Sequence, residues 1–114
     1  MQIDASPFEE GIVLTVRESR IDAACALQFK DRFRDLAADG AGKVILDLAM
    51  VDFLDSSGLG AVIASMKSLG PDRSLELAAL TPLVRKVFRL THLDTVMTIH
   101  PDAASAVSGA DAAP

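Results

Sequence analysis

Tryptophan and tyrosine are absent from the 114 residues, and five phenylalanines supply all the aromatic rings. Single-stranded nucleic acid is held by stacking aromatics along a basic groove, so that function is disfavoured. Basic residues are in the minority as well: 11 Lys and Arg stand against 16 Asp and Glu, for a formal charge of −5. Such a balance argues against a phosphate-neutralising DNA or RNA surface and against docking on an anionic membrane. One cysteine, Cys25, excludes an internal disulfide and fits a reducing, cytoplasmic setting. Together with only two histidines, His92 and His100, it leaves no metal-ligand set. No uncharged apolar run reaches the roughly 18 residues of a membrane span. The opening MQIDASPFEEG has neither the basic nor the apolar region of an export signal. The expectation is an acidic cytoplasmic domain with no cofactor and no membrane insertion.

What is present is an alternation of short apolar runs with helical stripes. Met1–Ala5 and Gly11–Arg17 read as strands, with Ser6-Pro7 and Glu9-Glu10 as their hairpin connection. Ala26, Phe29, Phe33, Leu36 and Ala37 recur at spacings of three and four. They predict a helix over Ala23–Asp39, capped by Asp22 and stopped at Gly40, with Leu27 left exposed. Lys43–Leu48 is an apolar run of strand length, and Leu75–Leu80 is another. Between them Leu59, Val62, Ile63, Met66 and Leu69 form a helical stripe that ends at Gly70-Pro71. Thr81-Pro82 opens a third helix, with Leu83, Val87 and Leu90 on its buried face beside Val84 and Phe88. Thr95–Ile99 reads as a last short strand, and Asp102 as the cap of an Ala-rich turn. The order predicts one α/β domain over residues 1–108, followed by a frayed tail at 109–114. Four to five strands would form a small mixed sheet, with about four helices mostly on one face.

Chemistry concentrates in Val51-Asp52-Phe53-Leu54-Asp55-Ser56-Ser57-Gly58-Leu59-Gly60, where two carboxylates, two hydroxyls and two glycines join a buried strand to a helix. Such a junction presents backbone N–H groups and the positive end of a helix dipole. A dinucleotide site needs a third glycine where Ala61, Val62 and Ile63 stand, and a Walker loop needs a lysine beside the serines. A nucleophile elbow needs a glycine two residues before its serine, but the residues there are Leu54 for Ser56 and Asp55 for Ser57; the only candidate bases are His92 and His100. No enzyme motif emerges. The remaining reading is a modification switch. On a helical wheel Ser57, Ala61, Ala64 and Ser68 face outward with Gly60 beside them, a surface of small residues open to close approach. Phosphate on Ser57 would add about −1.5 to −2 charges in the first helical turn, beside Asp55. The competing reading makes Ser56 or Ser57 an ordinary helix cap and leaves Asp52 and Asp55 to solvate the loop.

The stretch VILDLAMVDFLDSSGLGAVIASMKSLG resembles the signature of STAS domains, bacterial anti-sigma factor antagonists in particular. Arg20-Ile21-Asp22 and LTPLVRKVFRLTHLDTV extend the resemblance over about residues 8 to 100. It implies a protein that binds a kinase-type anti-sigma factor, is phosphorylated by that kinase on Ser57 and is restored by a phosphoserine phosphatase. Asp22, Asp55 and Ser56 match the family's acidic and hydroxyl positions. With Ser57, Gly58, Gly60, Ala61 and Ala64 they make up the expected partner-binding face. The alternative within the resemblance is a constitutive subunit of a stress-sensing scaffold or transport complex, without a phospho-switch.

Overall fold

A computed structural model describes residues 1–38 and 40–108. The expected tail at 109–114 therefore lies outside the described residues, as does Asp39, the last residue of the expected first helix. The chain opens with β1 (Ile3–Phe8) and β2 (Gly11–Val16), joined antiparallel through Glu9-Glu10 alone. The connection is shorter than the sequence pattern predicts, because Ser6 and Pro7 belong to β1. β1 is the edge of the sheet, where the missing N–H of Pro7 costs no ladder bond.

A two-residue strand, β3 (Arg20–Ile21), leads to α1 (Ala26–Ala38). β4 (Lys43–Asp47) follows, then a second two-residue strand, β5 (Phe53–Leu54), and α2 (Ser56–Ser68). β6 (Leu75–Ala78), α3 (Pro82–Leu90), a 3-10 turn at Leu93–Thr95, β7 (Ile99–His100) and α4 (Ala103–Val107) complete the chain. The last strand is thus shorter and later than Thr95–Ile99, since the 3-10 turn takes the start of that segment. The main sheet has the order β1-β2-β4-β6-β7, parallel except for the first pair.

The two faces of the sheet are unequal. Leu14, Val16, Val44, Leu46, Leu75 and Leu77 point to one side and meet α1, α2 and α3 in the main core. Phe29, Phe33 and Phe88 are fully buried there, with the Phe29 and Phe33 rings 6.1 Å apart. Alternate residues of the same strands, Val13, Ile45 and Ala78, face the other way and are covered by Ala106 of α4. Three helices on one face and a short one on the other agree with the sequence pattern.

On α1 the stripe is as read, with Phe29, Phe33 and Ala37 buried and Leu27 67% exposed. On α3 the buried face is rotated from the one the spacing predicts. Val84 and Phe88 are buried, whereas Leu83 is 49% and Leu90 67% exposed. Five apolar residues in nine exceed what one helical face can bury, so spacing alone did not choose among them.

Candidate functional site

The loops after β3 and β5 lie side by side because those strands pair in parallel, Arg20 with Phe53 and Ile21 with Leu54. The pairing has no long-range signature in the sequence, yet it is what joins Asp22 to the Asp55-Ser56-Ser57-Gly58 loop. Backbone N–H groups of Asp52 and Phe53 also donate to the Ser19 carbonyl, at 2.9 and 3.2 Å.

Asp55 holds the junction together. Its backbone is extended, one residue before α2, and its Oδ1 accepts from the Gly58 N–H at 2.8 Å. Oδ2 accepts from the Ala23 N–H at 3.1 Å, across 32 residues of chain. One carboxylate therefore caps α2 and fixes the loop that carries Asp22. This corrects the alternative in which Ser56 or Ser57 is the cap, and Asp55 does more than solvate its loop. A carboxylate is the better acceptor for N–H groups at the positive end of a helix. Gly58 completes the junction. A Cβ built there would sit 1.9 Å from the Ile21 carbonyl oxygen, so only glycine lets α2 approach β3 this closely.

Ser56 and Ser57 occupy the first two positions of α2, and both are exposed. Freed from capping, the Ser57 hydroxyl stands in solvent at the positive end of a 13-residue helix. Asp22 is not the N-cap of α1, which starts at Ala26. Its Oδ1 accepts from the Ala24 N–H at 3.1 Å, and its Oδ2 accepts from Arg20 Nε at 2.9 Å. The hydrogen bond from the Arg20 guanidinium holds the Asp22 carboxyl below the usual carboxylate range. Arg20 lies 4.3 Å from the centre of the Phe53 ring, so β5 supports the cation that orients Asp22. The sequence gives no sign that Arg20 and Phe53 touch, since the contact depends on the β3–β5 register. Cys25 Sγ lies 3.6 Å from Asp22 Oδ1.

The small-residue face is less open than the wheel made it. Gly60 is exposed, and among the described residues nothing beyond its chain neighbours and the local helix backbone comes within 4 Å of a Cβ placed on it. Ala64 is half-buried, but Ala61 is only 2% exposed, and Gly58 is buried too. α2 is covered by the sheet on one side and by α1 on another. A single-stripe wheel has no place for the second contact and so turns Ala61 outward. The exposed part of the expected partner face is therefore Ser56, Ser57 and Gly60, flanked by Asp22, Asp55 and Ala64.

His100 lies on the opposite face of the sheet from α2, with Nε2 2.7 Å from Glu76 Oε1, and His92 follows the far end of α3. Neither is placed as a base for Ser57. Among the described residues no group of three His, Cys, Asp or Glu is arranged to hold a metal, and no helix is long and apolar enough to cross a membrane.

A sequence model of the STAS domain matches residues 5–106. The chain belongs to the STAS domain family. BtrV of Bordetella bronchiseptica, by its name a candidate anti-sigma factor antagonist, is 29% identical over 83 residues, 72% of either protein. An anti-sigma factor antagonist from Mycobacterium paratuberculosis superposes on the STAS domain with a TM-score of 0.84 at 25% identity. That match covers 95% of this chain and 92% of the other. The unphosphorylated anti-sigma factor antagonist SpoIIAA of Bacillus shares the fold, with a TM-score of 0.75, 23% identity and 99% of each chain covered.

Proposed function

We propose that this STAS domain is an anti-sigma factor antagonist whose binding is switched off by phosphorylation of Ser57. Unphosphorylated protein binds an anti-sigma factor that is also a Ser/Thr kinase, through the Ser56-Ser57 loop, Gly60 and the adjoining Asp22 and Asp55. The observation that carries this reading is the division of labour at α2. Asp55 supplies the cap, so the Ser57 hydroxyl is exposed and uncommitted at the positive end of the helix. Modification there leaves the fold's own hydrogen bonds intact. SpoIIAA keeps this fold in both an unphosphorylated and a phosphorylated form, so the architecture tolerates the modification.

The ATP and Mg²⁺ chemistry belongs to the kinase; this chain supplies the acceptor hydroxyl, and a phosphoserine phosphatase returns it. At the interface the added dianion lies beside Asp55, and its desolvation opposes the complex. A penalty of about 3 kcal/mol weakens binding roughly a hundredfold. The protein acts in the cytoplasm, where such kinases and sigma factors work.

The test is intact-mass and phosphopeptide analysis after incubation with ATP-Mg²⁺ and extract of the source cells, followed by binding to the kinase so found. Wild type gains one phosphate, on Ser57. Ser57→Ala binds and gains none, and Ser57→Asp binds about a hundredfold more weakly. An active kinase in that extract that leaves Ser57 unmodified overturns the reading.

A further inference from the structure

The cleft between α1 and α2 carries basic and hydroxyl groups that the switch does not use. It encloses about 170 Å³, lined by Lys30, Asp31 and Arg34 from α1 and by Ala64, Ser65 and Ser68 from α2. Ser65 is 3% exposed, and its buried hydroxyl has no hydrogen-bond partner among the described residues. Native structures leave few such groups unpaired, and each one marks a place where a partner is expected. Ser68 does not supply it, because its hydroxyl donates to the Ser65 carbonyl at 2.7 Å.

Charge decides what kind of partner fits. Lys30 makes no ion pair among the described residues. Arg34 reaches Asp31 and Asp35 only at 3.4 Å each, long for charge-assisted bonds, and stays 64% exposed. A second cavity of about 160 Å³ shares Arg34 and Ser68 and adds Arg73, whose Nη2 is likewise buried without a partner among the described residues. The other Arg73 nitrogens are committed to the Gly42 and Ala37 carbonyls, at 3.1 and 2.7 Å. Among the described residues, the two cavities that meet at Arg34 are thus lined by three cationic side chains, by two residues with an unpartnered buried polar atom and by one carboxylate, Asp31, in a chain of net charge −5.

We propose that the α1–α2 cleft binds a small phosphate-type dianion, with Lys30 and Arg34 supplying charge and the Ser65 hydroxyl donating a hydrogen bond. The site is separate from the switch: Ser65 lies eight residues along α2 from Ser57, about 12 Å at the helical rise. Asp31 opposes the ligand's charge and limits its affinity.

Titration of the ¹⁵N-labelled full chain with inorganic phosphate, at constant ionic strength and a pH where the dianion dominates, tests this. Saturable amide shifts are expected at residues 30–34 and 64–68. Lys30→Gln and Ser65→Ala each weaken binding about tenfold, the scale of one lost charge-assisted bond, and Asp31→Asn tightens it. Lys30 is exposed, so Lys30→Gln reports on binding even if Ser65→Ala perturbs packing. Four outcomes overturn the proposal: shifts that never saturate, equal shifts with chloride, shifts centred on Ser56 and Ser57, or unchanged affinity in Lys30→Gln.

Discussion

Asp55 is the residue on which the site turns, because its two oxygens serve two segments that meet only in the folded chain. Asp55→Ala removes the α2 cap and the bond to Ala23 together. It is expected to cost about 2–3 kcal/mol in urea unfolding. Asp55→Ser keeps a capping oxygen, cannot reach both partners and should fall between the two. Ser57→Ala removes an exposed hydroxyl that caps nothing and should stay within about 0.5 kcal/mol of wild type. The same melts separate the cap from the proposed modification site, and equal losses at positions 55 and 57 would contradict the assignment. Three other carboxylates make stability depend on acid. Asp22 is bonded by Arg20, Asp4 by Arg17 and Asp102 by the Ser105 N–H, and each titrates below its ordinary value. A depressed folded pKa means stabilisation is complete above the unfolded value near 4 and is lost as pH falls through the folded value. Denaturant midpoints should therefore decline below about pH 4, and Asp22→Asn, already lacking that charge, should show a shallower decline.

At the level of elements, α3 separates spacing from burial. Phe88 is fully buried under the sheet, and Phe88→Ala is expected to cost about 3–5 kcal/mol. Leu83 and Leu90 look equally core-like in sequence yet are exposed. Leu83→Gln and Leu90→Gln should each change stability by no more than about 0.5 kcal/mol, measured by chemical denaturation. α2 shows the converse. Ala61 falls on the outward strip of the wheel but is buried, as are Gly58 and Ser65, since a helix wedged between a sheet and α1 loses two faces to packing. Gly58→Ala drives a methyl into the Ile21 carbonyl and should destabilise by about 1–3 kcal/mol while Gly60→Ala does not, a contrast that thermal melts would reveal.

Across the whole molecule, the proposed switch works on association and leaves the fold alone. A negative charge in the first turn of α2 is favourable to the helix dipole by about 0.3–1 kcal/mol. Ser57→Asp should therefore unfold at or slightly above the wild-type midpoint while losing its partner. A variant that lost both together would place Ser57 in the folding of the domain rather than in its recognition. The sheet supports this separation. Its main core, on the side of α1, α2 and α3, is closed beneath the loop, and α4 covers Val13, Ile45 and Ala78 on the far side.

Local pattern was enough for much of this molecule. The β-α alternation, the Phe29/Phe33/Ala37 stripe, the exposed Leu27, the Asp102 cap and the D-S-S-G junction all depend on residues a few positions apart. Periodicity and capping chemistry act over that range, and they carried these features in the sequence. Tertiary structure alone decided that β3 pairs with β5, that Asp55 bonds Ala23 as well as Gly58, and that Arg20 rests on Phe53. It also decided that Ala61 is buried while Leu83 and Leu90 are not. Each of these depends on which distant segment arrives as a neighbour, and a wheel or an alternation pattern drawn from one segment contains no term for that.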